Sequence, residues 1–192
     1  MPNHCQNRIE ITLPSEVAQL LVEHLKKTDT KAPLCSFFKP MPPYLLAVGG
    51  FKDGWYEWAS REWDTKWGDY DGTVVSVVPA VSFPDGAPAT GLSTVTYTFM
   101  SAWNPPIAVV SFIASLGYGV YFSYYEAGMG FGGHTPHPEN GLRTQKTAVE
   151  VGGTIDLEEF VVEGSTVMKG CCPWSLEALE EWCEEEGFSH GF

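Results

Sequence analysis

The segment from Trp63 to Asp71 holds the densest set of side chains that can bind a ligand or transfer a proton. It combines two tryptophans, a tyrosine and a lysine with two carboxylates placed two positions apart, Asp69 and Asp71. A cleft for a sugar or a base uses such groups, and paired carboxylates can carry out hydrolysis. The first hypothesis is therefore a ligand cleft or a hydrolase site, formed by Trp63, Asp64, Lys66, Trp67, Asp69, Asp71 and Trp103. The competing interpretation is structural: the tryptophans cover the open face of a sheet, and Lys66 pairs with a carboxylate.

The C-terminal forty-two residues hold most of the negative charge. Residues 151–192 contain ten acids and one base, a net charge of −9 out of −13, whereas residues 1–150 contain fourteen acids and ten bases. A helix is predicted over 175–186, with Ser175 as its N-cap and Gly187 at its end. At about 100° per residue, one face of this helix is apolar, and the opposite arc is made of glutamates. The apolar face holds Leu176, Leu179, Trp182 and Cys183, and the acidic arc holds Glu177, Glu180, Glu181, Glu184 and Glu185.

This charge distribution indicates which partners the chain can bind. It disfavours direct contact with DNA, RNA or an anionic membrane, because phosphate contacts need Lys and Arg. Carboxylates three or four positions apart on a helix repel each other, so the arc is costly for stability alone. A row of carboxylates can, however, stand in for nucleic-acid phosphates at a basic surface. The predicted partner-binding residues are Glu177, Glu180, Glu181, Glu184, Glu185, Asp156, Glu158 and Glu159. The alternative is an acidic helix that only keeps the protein soluble.

Histidine and cysteine patterns predict neither a metal nor a cofactor. His134 and His137 could join Cys171 and Cys172 in a zinc site, but their spacing matches no standard zinc pattern. The glycine-rich segment 128–133 lacks the lysine and the helix of a phosphate-binding loop, so we expect it to let a strand bend or pack closely.

His4 and Cys5 are adjacent in a predicted strand and face opposite sides, so they cannot form a catalytic dyad.

The cysteines and the chain start indicate a cytoplasmic protein. The five cysteines are an odd number and are predicted to be reduced thiols. The sequence contains no run of eighteen apolar residues and no secretory signal, so we expect neither a membrane span nor secretion.

Periodicity and capping signals predict an α+β chain. The order of its first six main elements is strand, helix, strand, strand, helix, strand, which is typical of a ferredoxin-like split βαβ unit: an antiparallel sheet with two helices on one face. The predicted strands cover 7–13, 73–81, 94–99 and 120–126, with a short one at 36–39, and the two helices cover 15–27 and 105–116. A short helix is expected to begin near Trp55 and to turn into a loop at Asp64.

Two regions are predicted from this pattern. Residues 1–133 form the core, with an aromatic-rich insertion at 28–72. Residues 134–192 form an acidic C-terminal extension packed on the core. The extension consists of a hairpin over 146–162, with strands 146–151 and 154–162, and the helix over 175–186.

Five short motifs resemble those of a family of phage and plasmid proteins with a YubB-type ferredoxin-like domain. They are N-x-C-x-N at 3–7, F-x-P-x-P at 38–42, W-x-T-K-W at 63–67, W-x-P-P at 103–106 and an aromatic strand running into E-x-G at 124–128. The resemblance covers roughly residues 1–133, and Asp64 and Ser101 stand where the family has glycine and threonine. It implies a ferredoxin-like fold and an origin in a mobile element, and it supplies no catalytic residues.

These observations together predict a non-enzymatic acidic binding protein of a phage or mobile element. It would inhibit a host nucleic-acid-binding defence complex, such as a CRISPR effector or a restriction enzyme, by occupying its basic DNA-binding surface. The alternatives are a small-ligand-binding protein or hydrolase that uses the Trp63–Asp71 cleft, and a structural scaffold. The sequence does not specify the oligomeric state.

Overall fold

The first strand explains how the sheet acquires two different faces. In the computed structural model, strand β1 spans His4–Pro14, and its odd-numbered side chains from Cys5 to Leu13 are buried, whereas the even-numbered ones from His4 to Glu10 are more exposed. This alternation is the period-two pattern of a strand that packs one face on a core. The structure describes residues 3–27, 29–47, 54–80, 91–135, 158–162, 172–174 and 176–189.

Within these residues, helices and strands are mixed along the chain. The helices are α1 Ser15–Leu25, α2 Pro33–Phe38, α3 Pro43–Ala47, α4 Trp55–Glu62, α5 Ile107–Ser115 and α6 Leu176–Glu186. The strands are β1 His4–Pro14, β2 Asp69–Pro79, β3 Leu92–Ala102, β4 Gly119–Glu126, β5 Phe131–His134, β6 Glu158–Val162 and β7 Cys172–Trp174. The predicted α+β class is confirmed.

The described strands form one sheet in the order β2-β3-β1-β4-β5-β6-β7. Neighbours pair antiparallel from β2 to β6, and β7 pairs parallel with β6. In the centre, Ile9 of β1 lies between Tyr97 of β3 and Phe122 of β4. β2 is an edge strand, which permits Pro79 at its end, because an edge position does not require every backbone N–H.

Helices α1 and α5 both pack on the apolar face of β1. One buried apolar cluster joins the two helices to the strand. It contains Ala18, Leu21 and Leu25 of α1, Val109, Val110 and Ile113 of α5, and Cys5, Ile9, Ile11 and Leu13 of β1. Gly117 follows α5 with a φ of 81°, a left-handed conformation that suits glycine and ends the helix. None of the described helices combines the length and the apolar character that a membrane-spanning helix needs.

Helix α6 packs on the opposite face of the sheet. Tyr121, Ser123 and Tyr125 of β4 point to that face and are buried. Trp182, Cys183 and Phe188 form a second buried cluster with Tyr125. The end of the helix is also tied to β1, since Gln6 donates through Nε2 to the Ser189 carbonyl at 2.7 Å and accepts from the Ser189 N–H at 2.9 Å. The acidic helix therefore occupies a defined position on the sheet.

One predicted element is wrong, because residues 36–39 do not form a strand. Residues 33–38 form helix α2, and the backbone N–H groups of Leu34 and Cys35 in its first turn donate to the carboxylate of Asp69. A carboxylate at this position satisfies N–H groups that have no partner within the helix. Because Asp69 is more than thirty residues away in sequence, local patterns could not indicate this cap.

The predicted C-terminal hairpin lies mostly outside the described residues. Of its two strands, 146–151 and the first four residues of 154–162 lie there, and residues 158–162 form β6, which pairs with β5 and β7. The glycine-rich segment contains a turn that joins β4 to β5. Glu126 holds this turn, because its carboxylate accepts from the N–H groups of Gly128 and Met129 at 2.8 and 2.6 Å.

Candidate functional site

Asp69 lies at the first position of β2 and is 1% exposed. Its Oδ2 accepts from the Leu34 N–H at 2.9 Å and from the Tyr97 hydroxyl at 3.1 Å, and its Oδ1 accepts from the Cys35 N–H at 2.9 Å. Burial raises the pKa of the Asp69 carboxyl, and the hydrogen bonds from Cys35, Leu34 and Tyr97 oppose that rise. Both oxygens are engaged, so the carboxylate positions α2 and Tyr97.

Asp71 has a different environment from Asp69. Its side chain is exposed, and its φ is 49°, a left-handed conformation next to the irregular pairing of β2 with β3 between Tyr70 and Thr73. A hydrolase of the paired-carboxylate type needs two carboxyl groups that face one substrate. Here one carboxylate is buried and hydrogen-bonded, and the other is exposed to solvent. This geometry gives the hydrolase hypothesis no support.

Trp63 belongs to the core. It is 4% exposed, its Nε1 donates to the Lys39 carbonyl at 2.9 Å, and its ring packs edge-on against Trp58 with 5.1 Å between centroids. Trp103, by contrast, is 49% exposed and has a φ of 72°. The two tryptophans are therefore held in different ways.

We expect Trp63→Ala to lower the free energy of unfolding by about 3–5 kcal/mol, because the substitution removes a buried ring and leaves a cavity. Trp103→Ala should cost much less, since half of that ring is already in contact with solvent. Chemical denaturation of both variants checks this. Equal losses at the two positions would contradict the assignment of Trp63 to the core.

Lys66 is placed by aromatic rings. Its Nζ lies 4.8 Å from the ring centroid of Trp67 and 5.9 Å from that of Tyr56, both within the range of cation–π contacts. Asp64, at a φ of 60°, has its pKa raised by burial. Neither side chain lines the cavity that lies beside this segment.

A cavity of about 1010 Å³ lies between the end of α1 and the start of β2. Of the predicted cleft residues, the structure brings Trp67, Asp69 and Asp71 to its wall, and it places Trp63, Asp64, Lys66 and Trp103 elsewhere. The remaining wall includes residues that were not predicted, namely Lys26, Lys27, Lys31, Tyr70 and Tyr97. The run of lysines directly after α1 is the sequence signal for this basic wall.

The acidic residues of α6 are largely in solvent. Glu181, Glu184 and Glu185 are exposed, and Glu180 is half-buried. Glu177 lies in the first turn of α6, and its side chain is outside the described part of the structure. Glu158 and Glu159 belong to β6, where they pair with His134 and Gly133 of β5, and Asp156 lies outside the described residues.

Glu186 is the acidic residue of α6 that the helical wheel did not single out. It is 7% exposed and accepts hydrogen bonds from the Ser123 hydroxyl at 2.6 Å and from the Tyr121 hydroxyl. Both donors lie on the α6 face of β4. Glu186 thus fixes the last turn of the acidic helix on the sheet.

No family model, no curated protein and no solved structure matches this chain. The resemblance to the YubB-type family therefore stays a prediction.

Three cysteines whose side chains the structure describes are not placed for nucleophilic chemistry. Cys5, Cys35 and Cys183 are buried and free. Burial raises the pKa of all three thiols, that of Cys183 to about 11, so each keeps its proton at neutral pH. In the described part of the chain, no group of three or more His, Cys, Asp or Glu side chains is arranged to hold a metal ion. His137 and Cys171 of the zinc alternative lie outside that part.

Proposed function

We propose that this chain is a non-enzymatic binding protein that presents the acidic arc of α6 to a basic surface on a partner protein. The observation that carries the proposal is the way α6 is held. Trp182, Cys183 and Glu186 are buried against the sheet, while Glu181, Glu184 and Glu185 are exposed on the same helix.

Anchoring matters because a fixed array of charges binds at a lower entropic cost than a mobile one. The three anchors and the contacts of Ser189 with Gln6 hold the helix at its C-terminal half. Exposed carboxylates spaced three or four positions apart repel each other, and this repulsion lowers the stability of the helix. Such a surface suits lysines and arginines that otherwise contact phosphates.

The partner we propose is a host defence complex that binds nucleic acid, such as a CRISPR effector or a restriction enzyme. The carboxylates would occupy its basic DNA-binding surface and exclude DNA sterically and electrostatically. The strand order β2-β3-β1-β4, with α1 and α5 packed on one face, supports a ferredoxin-like assignment for the core. That assignment agrees with the phage and plasmid family that the motifs resemble, and a cytoplasmic location follows from the same proposal.

Capture of the partner tests this proposal. The immobilised protein is incubated with a bacterial lysate at low salt, and bound proteins are eluted first with DNA and then with salt. We expect a nucleic-acid-binding protein in the DNA eluate, because DNA and α6 would compete for one basic surface. If the DNA eluate contains no protein that is absent from a buffer eluate, the chain is a scaffold with a solvated acidic helix.

Glu186 provides a structural check on the anchoring. We expect Glu186→Ala to lower the free energy of unfolding by at least about 2 kcal/mol, because the buried Tyr121 and Ser123 hydroxyls each lose an acceptor. Glu185→Gln, at an exposed neighbouring position, should leave stability nearly unchanged. Chemical denaturation, with hydrogen exchange on α6, measures both effects. Unchanged exchange in Glu186→Ala would mean that Glu186 does not hold the helix.

A further inference from the structure

Strand β2 exposes a group of apolar side chains at one edge of the sheet. Val75, Val77 and Val78 are 55, 46 and 48% exposed. Among the residues that the structure describes, no strand lies beyond β2, so one side of its backbone also has no neighbour in the sheet. A long edge strand with exposed apolar side chains is a place where another chain can bind.

The usual protection of an edge strand is weak in β2. Natural proteins protect edges with charged side chains, with proline or with bulges. No charged residue stands between Gly72 and Pro79, and this proline is the last residue of the strand. The pairing of β2 with β3 shifts register between Val74 and Ser76, which is a bulge at Val75. The bulge interrupts a continuous backbone ladder, so a contact at this edge rests mainly on the valine side chains.

The valines lie on both faces of the sheet. Val77 pairs with Val95, which belongs to the core on the α1 face, whereas Val78 pairs with Thr94 and points to the opposite face. A ligand or a helix that lay on one face would leave the other face uncovered. A second strand in the plane of the sheet covers both faces at once, because its side chains also alternate.

The charges beside β2 are arranged by the direction of α1. Lys26 and Lys27 follow α1 and line one cavity with Asp69, at the start of β2. Glu16 lies in the first turn of α1, where the first N–H of the helix donates to the Gly91 carbonyl at 2.8 Å, next to the β3 segment that pairs with the end of β2. Helix α1 is therefore antiparallel to β2, with cations near the start of the strand and an acid near its end.

This arrangement favours a second copy of the chain as the occupant of the edge. When two β2 strands meet antiparallel about a two-fold axis, the start of each strand lies beside the end of the other. Lys26 and Lys27 of each copy then lie on the same side as Glu16 of the other copy. Among the residues that line the cavity, Lys26, Lys27 and Lys31 outnumber the one exposed acid, Asp71. More distant acids are screened beyond about 8–10 Å at physiological salt.

We infer that two copies of this chain associate through the β2 edge, antiparallel about a two-fold axis, with Val75, Val77 and Val78 of each copy at the contact. Such a contact uses the same surface on both copies, so assembly stops at a dimer. The inference goes beyond the proposed function, because α6 packs on β4, and β3 and β1 separate β4 from β2.

Analytical ultracentrifugation of the full chain, over a concentration range of about 1–100 μM, tests the inference. We expect the mass to rise from one chain to two and no further, because a contact of this size belongs to the weak class of interfaces. Val77→Lys should weaken association at least about tenfold, since a lysine on an edge opposes pairing, and Val75→Lys should act in the same way. Leu116→Lys is the matched control, because Leu116 is 48% exposed and follows α5, away from β2.

An exchange of charges tests the antiparallel orientation. Glu16→Lys and Lys26→Glu should each weaken the dimer by about threefold or more, because each places like charges opposite one another at two symmetric positions. Glu16→Lys changes the net charge of the chain from −13 to −11 and so reduces overall repulsion, which means that net charge cannot explain a weaker dimer. The double variant should recover most of the affinity, because opposite charges then face each other again.

Three results overturn the inference. The first is a wild-type mass of one chain at every concentration. The second is equal association by wild type, Val77→Lys and Val75→Lys, which would place the contact elsewhere. The third is a double charge variant that associates no better than the single variants. All the substituted side chains are exposed, so the variants should fold, and circular dichroism confirms this before sedimentation. None of these outcomes bears on partner capture by α6.

Discussion

Asp69→Ala is expected to lower the free energy of unfolding by about 3–5 kcal/mol, because it leaves three buried donors without their acceptor. These donors are the N–H groups of Leu34 and Cys35 and the hydroxyl of Tyr97, each 2.9–3.1 Å from the carboxylate. An unsatisfied buried polar group costs about 1–3 kcal/mol. Urea denaturation at neutral pH measures the loss.

Asp71→Asn is the matched control, because asparagine tolerates the left-handed backbone at this exposed position. We expect it to change stability by less than about 0.5 kcal/mol. If both substitutions cost the same, Asp69 does not hold α2 in place.

Asp69 also makes a distinct contribution to the pH dependence of stability. Its pKa is raised in the folded protein, chiefly by burial, above the ordinary value of 3.8. The folded state therefore binds the proton more tightly than the unfolded state. The stability that this difference contributes is fully present below the pKa that Asp69 has in the unfolded state. It is lost as the pH rises through the pKa of Asp69 in the folded state. Asp69→Asn should remove that part of the pH profile. An identical pH slope in wild type and Asp69→Asn would contradict the assignment.

Changing Glu177, Glu180, Glu181, Glu184 and Glu185 to Gln should weaken binding to a basic partner by more than about tenfold at low salt, equivalent to about 1.4 kcal/mol. Glutamine keeps the size and the helix propensity of glutamate, so α6 should remain folded. Stability should be unchanged or slightly higher, because the like charges no longer repel. Binding is measured by calorimetry and stability by denaturation.

A control variant separates the surface from net charge. Glu16, Glu23, Asp29, Glu57 and Asp71 are exposed acids outside α6. Changing these five to Gln or Asn moves the net charge from −13 to −8, as does the α6 variant. If both variants bind equally well, affinity depends on overall charge and not on the helix.

The sequence predicted the elements whose patterns are local. Alternation in β1, the apolar face of α1 and the glycine after α5 are each set by neighbouring residues, and all three elements are present. Helix α2 was missed because its first turn is satisfied by Asp69, which belongs to β2. A cap supplied from a distant strand leaves no sign in the sequence around the helix.

Glu186 was missed for a different reason. At about 100° per residue it falls at about 280° from Leu176, between Trp182 and Leu179 on the apolar side. The helical wheel therefore contained the signal, but Glu186 was assigned to neither the apolar face nor the acidic arc. Its burial depends on the Tyr121 and Ser123 hydroxyls of β4, which only the fold brings together with it.

The cavity also depends on tertiary structure. The aromatic segment was recognisable, but four of its seven predicted cleft residues do not line the cavity. The basic wall comes from the end of α1, which lies close to β2 in the fold although helices α2, α3 and α4 come between the two in sequence. Spacing within one segment could not predict that these lysines line the same cavity as Asp69.

Competition between this protein and labelled DNA for the captured, purified partner tests the central claim most directly. Across a salt series, we expect wild type to displace DNA at low salt and to lose this ability as salt rises, because exposed charges are screened. The α6 variant with five glutamines should displace DNA at least about tenfold less well, and the control variant should behave as wild type. Equal displacement by wild type and the α6 variant would show that the acidic helix is only a solvated surface.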